Sequence, residues 1–191
     1  TSNQDAINDY LYCIDKLKDV VDYFVINISS PNTPGLRSLQ DEQPLRDLLK
    51  GVVDANNNLM KPKPLFVKVA PDLTDQQVRE FVNIVIEERV DGIIATNTTV
   101  SRDGLSVPAE QLEAIGAGGL SGKPVSHRST EILRLIRETA GDKLVLIASG
   151  GVMKEGDARA KLEAGADLVQ VYTGFIYKGP DLIGKLIRET C

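Results

Sequence analysis

The stretch Asp22 to Gln40, DYFVINISSPNTPGLRSLQ, decides the fold: a short β-branched run stops at an amide, two hydroxyls, a proline and a second amide. Residues 23–28 read as a strand, being short, apolar and rich in Val and Ile. Ser29 to Gly35 reads as a loop, because Pro31 and Pro34 each remove a backbone donor and bias the residue before them away from helix. A strand that ends at Asn27 and is followed by Ser30 and Asn32 sets three uncharged hydrogen-bonding side chains at its C-terminal edge. In parallel α/β folds that edge carries the chemistry.

Outward from this stretch the same unit recurs. Tyr10, Ile14, Leu17 and Val21 fall on one helical stripe before the strand, and Leu45, Leu48, Leu49, Val52 and Val53 form another after the loop. Leu65 to Val69 is a second strand; Thr74 with Gln77 is a capping box that opens a helix through Val78, Phe81, Val82 and Val85. Ile93 to Ala95 is a third strand, closing on Thr96-Asn97-Thr98-Thr99. Residues 100–124 then lose any sustained period and contain Gly104, Gly116, Gly118, Gly119 and Gly122, the pattern of a working loop, with a short helix expected over 109–114. Ser129 is expected to cap the next helix, with Ile132, Leu133 and Ile136 facing inward. Residues 144–147 and 168–171 are the fourth and fifth strands, ending at Gly150-Gly151 and Tyr172-Thr173-Gly174; a short helix lies between them at 155–164, and Pro180 opens a last one.

Strands that alternate with helical patterns, without a hairpin signal, imply parallel βα units. An open doubly wound sheet and part of a barrel both satisfy that pattern. The barrel is favoured because every strand, and not only those at a switch point, ends in residues suited to ligand contact. The expected fold is therefore α/β, a (β/α)8 TIM barrel of which this chain supplies about the last five βα units. A start at Thr1, without Met, fits a piece of something longer, so residues 1–191 are expected to be the C-terminal part of a single barrel domain.

Composition narrows the function classes. The 191 residues are 42% hydrophobic and 26% charged, with a net charge of −5 and no basic stripe, which argues against a nucleic-acid partner. Cys13 and Cys191 make neither a disulfide framework nor a metal spacing, and the single histidine, His127, is read as a surface loop residue. Two cysteines of this kind suit a reducing compartment, and neither a signal peptide nor a membrane-spanning run is expected.

Three features carry chemistry. Gly150-Gly151 and Thr173-Gly174, with Gly122, suit a phosphate cradle of bare backbone N–H groups, although a glycine pair also serves a tight turn. Lys68, between Val67 and Val69, must either meet an anion or snorkel to solvent. Asn27, Asn32 and Asn97, with Thr96 and Thr98, fit a planar ligand that offers both donors and acceptors, although amides also stabilise loops. Nothing in the sequence suggests paired carboxylates, a metal site or a Ser/His/Asp triad.

The segments Asn27-Ile28-Ser29-Ser30-Pro31-Asn32-Thr33, Val67-Lys68-Val69-Ala70-Pro71-Asp72, Ala95-Thr96-Asn97-Thr98-Thr99, Gly118-Gly119-Leu120-Ser121-Gly122 and Val169-Gln170-Val171-Tyr172-Thr173-Gly174 resemble dihydroorotate dehydrogenases, in order and at similar spacing. The resemblance implies an FMN-containing barrel that oxidises dihydroorotate to orotate in pyrimidine biosynthesis. It matches Ser30 to the catalytic base of the quinone-using class 2 enzymes, where the soluble class 1 enzymes have cysteine. It matches Asn27 to an amide touching both FMN and substrate, and Asn32, Asn97 and Thr98 to substrate contacts. Lys68, Thr96, Gly122, Gly151, Tyr172 and Thr173 correspond to FMN contacts. It also implies quinone as electron acceptor, and association with an inner membrane, bacterial or mitochondrial, through an N-terminal part not present here; the residues present read as soluble. Another FMN- or phosphate-binding barrel enzyme, or a non-catalytic flavin-binding fragment, is the alternative.

Overall fold

Five short strands pair in the order in which they occur along the chain, all parallel: β1 (Phe24–Asn27), β2 (Leu65–Val69), β3 (Gly92–Ala95), β4 (Val145–Ser149) and β5 (Leu168–Gln170). The computed structural model describes residues 5–190. Sequential order separates the two candidate architectures, because a doubly wound sheet reverses its strand order at a switch point whereas a barrel wall does not. The helices are α1 (Ala6–Leu17), α2 (Glu42–Asn57), α3 (Asp75–Glu87), α4 (Ala109–Ile115), α5 (Ser126–Ala140), α6 (Asp157–Glu163), α7 (Thr173–Lys178) and α8 (Asp181–Thr190). Neighbours in this series pack together, α1 on α2, α2 on α3, α3 on α5, α5 on α6 and α6 on α8, which makes one helical layer along one side of the sheet.

The strands show why the layer forms. Alternate residues Val67, Val69, Ile93, Ala95, Leu146 and Ala148 join a buried cluster with Leu49, Val78, Phe81, Val82, Ile132, Leu133 and Ile136 of the helices. Their neighbours Phe66, Ile94 and Ile147 form a separate small cluster on the opposite face. A two-residue period thus splits each strand between a helix-covered face and a second face. On the edge strands that second face is open, with Val25 38% and Leu168 58% exposed. The capping box of α3 forms as expected: Gln77 N donates to Thr74 Oγ1 at 3.3 Å, and Thr74 N donates to Gln77 Oε1 at 2.9 Å.

Two expectations are corrected and one helix is added. Ser129 does not cap a helix: a 3-10 turn at Lys123–Val125 runs straight into α5, which begins at Ser126, so Ser129 lies buried inside the first turns. Pro124 explains the early start, since its fixed φ suits an opening helical turn. His127 is exposed as expected, but on α5 and not in a loop. Helix α7 was not anticipated, because six residues are too few to display an amphipathic stripe and Phe175, Ile176 and Tyr177 are all exposed.

Phe81 is 1% exposed at the centre of the helix–sheet core. Phe81→Ala in the full-length protein should cost about 3–5 kcal/mol of stability, the range for deleting a buried aromatic ring, as measured by urea or guanidinium unfolding. A loss below about 1 kcal/mol would show that this layer is not the structural core.

Candidate functional site

The uncovered face of the sheet is tiered. Along each central strand the apolar residue is followed two places later by a polar one, Lys68 after Phe66, Thr96 after Ile94 and Ser149 after Ile147, while in register Lys68 lies between Asn27 and Ile94. Asn27 pairs in register with Lys68, and Ser149 with Gln170. Lys68 is half-buried and, among the described residues, no carboxylate pairs with it. Burial pushes its ammonium below the usual lysine range. A desolvated cation without a counter-charge is poised to receive an anion or an electron-rich ring atom.

Lys68, Thr96, Asn97, Thr98, Gly122, Gly151, Tyr172 and Thr173 line one cleft of about 160 Å³, with Ser149, Gly150 and Gln170. The strand-end loops thereby bring the expected cofactor residues other than Asn27 to one place. Gly122 sits opposite Thr173, where an added Cβ would stand 3.0 Å from Thr173 Cγ2, so only a bare backbone leaves that corner open. Gly150 and Gly151 both have positive φ, +105° and +80°, which turns their backbone in a way L side chains rarely allow.

Asn27 does not line the cleft but is tied to it. Asn97 Nδ2 donates to Asn27 Oδ1 and to Ser29 Oγ, each at 3.1 Å, while Asn97 Oδ1 accepts from Thr98 N at 2.8 Å. With Asn27 Oδ1 so occupied, its own NH2 group is left to donate outward. Ser30 and Asn32 lie in the adjoining loop after β1. Asn32 N donates to Ser30 Oγ at 3.3 Å, and Asn32 Oδ1 accepts from Gly119 N at 3.2 Å. Gly119 makes that approach possible, since a Cβ there would overlap the Thr98 hydroxyl and come within 2.9 Å of the Pro31 ring. The long loop of residues 100–124 therefore closes onto the Ser/Asn loop. Among the described residues no carboxylate or imidazole hydrogen-bonds to Ser30.

Two residues that sequence reading passed over organise this geometry. Arg37 donates from Nε to Ser29 O at 3.1 Å and from Nη2 to Thr98 O at 2.9 Å, and pairs through Nη1 with Asp72 Oδ2 at 2.7 Å. One guanidinium thus ties together the loops after β1, β2 and β3. Nothing in the local pattern marks Arg37, since its partners are 8, 35 and 61 residues away. The second is Lys161, 1% exposed on α6, whose signal was legible: it occupies the inward stripe defined by Ala158 and Ala164, where an apolar residue is the rule. Burial pushes its ammonium down to about 8.

A family model described as dihydroorotate dehydrogenase matches residues 1–190. A dihydroorotate dehydrogenase (quinone) of Christiangramia forsetii is 51% identical over 189 residues, covering 99% of this chain and 54% of the relative. Another, of Thermobifida fusca, is 50% identical over 179 residues, covering 93% of this chain and 48% of the relative. Among solved structures, the ligand-free type DHODH of Eimeria tenella superposes with a TM-score of 0.89 at 35% identity, over 97% of this chain and 55% of that one. The chain spans about half the length of the relatives it matches. Its five sequentially paired βα units are those of a TIM-barrel wall, and the chain belongs to the dihydroorotate dehydrogenase family.

Proposed function

We propose that this chain supplies one side of the active site of a flavin-dependent dihydroorotate dehydrogenase that makes orotate for pyrimidine synthesis and passes electrons to quinone. The observation that carries this reading is the cleft itself, in which an unpaired, desolvated Lys68, an Asn97 amide hydrogen-bonded to Asn27 beside the cleft, and a glycine-walled corner lie together. The names of the relatives agree with it, and the match along the chain favours it over another phosphate-binding barrel. On this reading residues 1–191 are the C-terminal part of one barrel domain. No helix among the described residues is long and apolar enough to cross a membrane. Membrane association is assigned instead to the part of the relatives' length that this chain does not span.

The residues present fit FMN: Gly122, Gly151, Tyr172 and Thr173 would hold its phosphate, and Lys68, Thr96 and Asn27 its ring system. Bound there, FMN supplies the two-electron acceptor for the oxidation. Lys68 stabilises the negative charge that the acceptor gains, more strongly for being desolvated. Asn97, its amide committed to Asn27, Ser29 and Thr98, holds this group in place so that Asn27 NH2 and the Thr98 hydroxyl can meet the planar substrate, with Asn32 contributing from the adjoining loop. Ser30 accepts the proton from C5 of dihydroorotate as it passes its own hydroxyl proton on to a water molecule, because a serine hydroxyl alone is a weak base near neutrality and among the described residues no carboxylate or imidazole hydrogen-bonds to it.

Lys68→Ala in the full-length protein should slow flavin reduction by dihydroorotate by ~10²-fold or more in stopped-flow absorbance, as expected for removing a group aimed at developing charge. An unchanged rate and flavin content would return Lys68 to solvent-directed snorkelling. Ser30→Ala should leave orotate and FMN binding nearly intact and slow single-turnover flavin reduction by ~10²–10⁴-fold. Ser30→Cys should recover part of that rate, with a pH dependence moved toward a thiol's range near ~8.5. Flavin reduction at the unmutated rate in Ser30→Ala would assign the proton to another acceptor.

A further inference from the structure

Lys161 is the most deeply buried charge in the described chain that the reaction does not use. Its ammonium has no ion-pair partner among the described residues and spends its three donors on neutral oxygens: Ser126 O at 3.1 Å, Thr130 Oγ1 at 2.8 Å, and Ser129 Oγ. The charged groups acting on it are Asp157 on its own helix and Arg134 on α5, with opposite effects. A lysine placed this way costs stability and is not a simple packing residue.

The hydrogen-bond count directs the serine. Ser129 Oγ lies within hydrogen-bond reach of two carbonyls, Ser126 O at 3.1 Å and Gly150 O at 3.0 Å, and Ser126 O is the more crowded acceptor because it also takes Thr130 Oγ1 at 2.9 Å and the Lys161 ammonium. Ser129 Oγ accepts from Lys161, so its own proton is left for the Gly150 carbonyl, 3.0 Å away. A chain of donors therefore runs from Lys161 through Ser129 to Gly150 O. In a trans peptide the C=O and the next N–H point in opposite directions. Tying Gly150 O back toward α5 turns the Gly151 N–H the other way, toward the cleft that both glycines line, and no acceptor among the described residues takes that N–H.

We propose that Lys161 is a positioning residue for the anion cradle: acting through Ser129, it holds the Gly150–Gly151 peptide so that the Gly151 N–H is presented to the phosphate monoester of the ligand. The inference rests on the reading that the cleft takes FMN, and it deepens that reading by naming what sets the preference for a phosphorylated flavin. Once Lys161 is deprotonated, its amine gains a lone pair that competes with Gly150 O for the Ser129 proton, and the turn is released. The buried ammonium loses its proton near about pH 8, whereas the flavin phosphate is already a dianion above roughly pH 7. The preference is therefore full between roughly pH 7 and about 8 and declines above it.

The test compares FMN with riboflavin, which lacks the phosphate, by fluorescence titration of the full-length apoprotein at about pH 7 and 9. The unmutated protein should prefer FMN, and less so at pH 9. Lys161→Met and Ser129→Ala should each reduce the FMN:riboflavin affinity ratio roughly tenfold or more, the scale of one hydrogen bond to a charged group, with riboflavin affinity little changed and no remaining step near pH 8. Should Lys161→Met fail to fold, Ser129→Ala decides alone, since it keeps the lysine and breaks only the relay. An FMN:riboflavin ratio retained in the variants, or one that does not respond to pH in the unmutated protein, overturns the proposal. No preference for FMN in the unmutated protein would overturn the phosphate reading of the cleft, and this inference with it.

Discussion

The guanidinium of Arg37 is the contact on which the arrangement of the site depends. Each strand delivers one or two polar residues to its C-terminal end, but the loops that follow have no reason of their own to stay in register. Arg37 supplies one by bonding the Ser29 and Thr98 carbonyls while pairing with Asp72. The pair is mostly shielded, with side chains 23% and 24% exposed, so these charge-assisted bonds work in a less screened setting than a surface ion pair. A lysine's compact ammonium lacks the span of the planar guanidinium fork that reaches acceptors on three separate loops. Asp72 is fixed in turn by Thr99 Oγ1 and by Val100 N, which extends the same clamp into the long loop.

Above this clamp the sheet works as a graded surface. Its covered face is aliphatic and supports the helices; its other face passes from Phe66, Ile94 and Ile147 to amides, hydroxyls and one lysine within a single further residue pair. The apolar tier explains the state of Lys68. A lysine on a polar surface would be hydrated, whereas this one stands over aromatic and aliphatic side chains and is pushed below its usual range. The same face keeps its cation uncompensated and its amides prearranged, and both properties favour charge that develops only during reaction. Lys161 applies a similar principle from behind, as a buried charge committed to neutral oxygens beneath the glycine turn.

The sequence by itself determined where the strands lie along the chain, because their Val/Ile-rich cores and Gly/Pro/Asn boundaries are local signals. It also determined the capping box at Thr74, and the grouping of Lys68, Thr96, Asn97, Thr98 and the glycines at strand ends, because in parallel βα units the C-terminal end of every strand faces the same way. The long loop after β3 was legible from its loss of periodicity.

Tertiary structure alone decided the rest. Strand order, which separates a barrel wall from a doubly wound sheet, is a matter of which edges meet, and no local pattern encodes it. Ser129 looked like a cap because serine suits that position, but Pro124 starts the turn earlier and frees Ser129 to bind Gly150 and Lys161. Helix α7 was too short to leave a period. Arg37 could not be singled out because its worth lies in three acceptors gathered from distant loops. A side chain's propensity is local, whereas a hydrogen bond's partner is set by where the whole chain has folded.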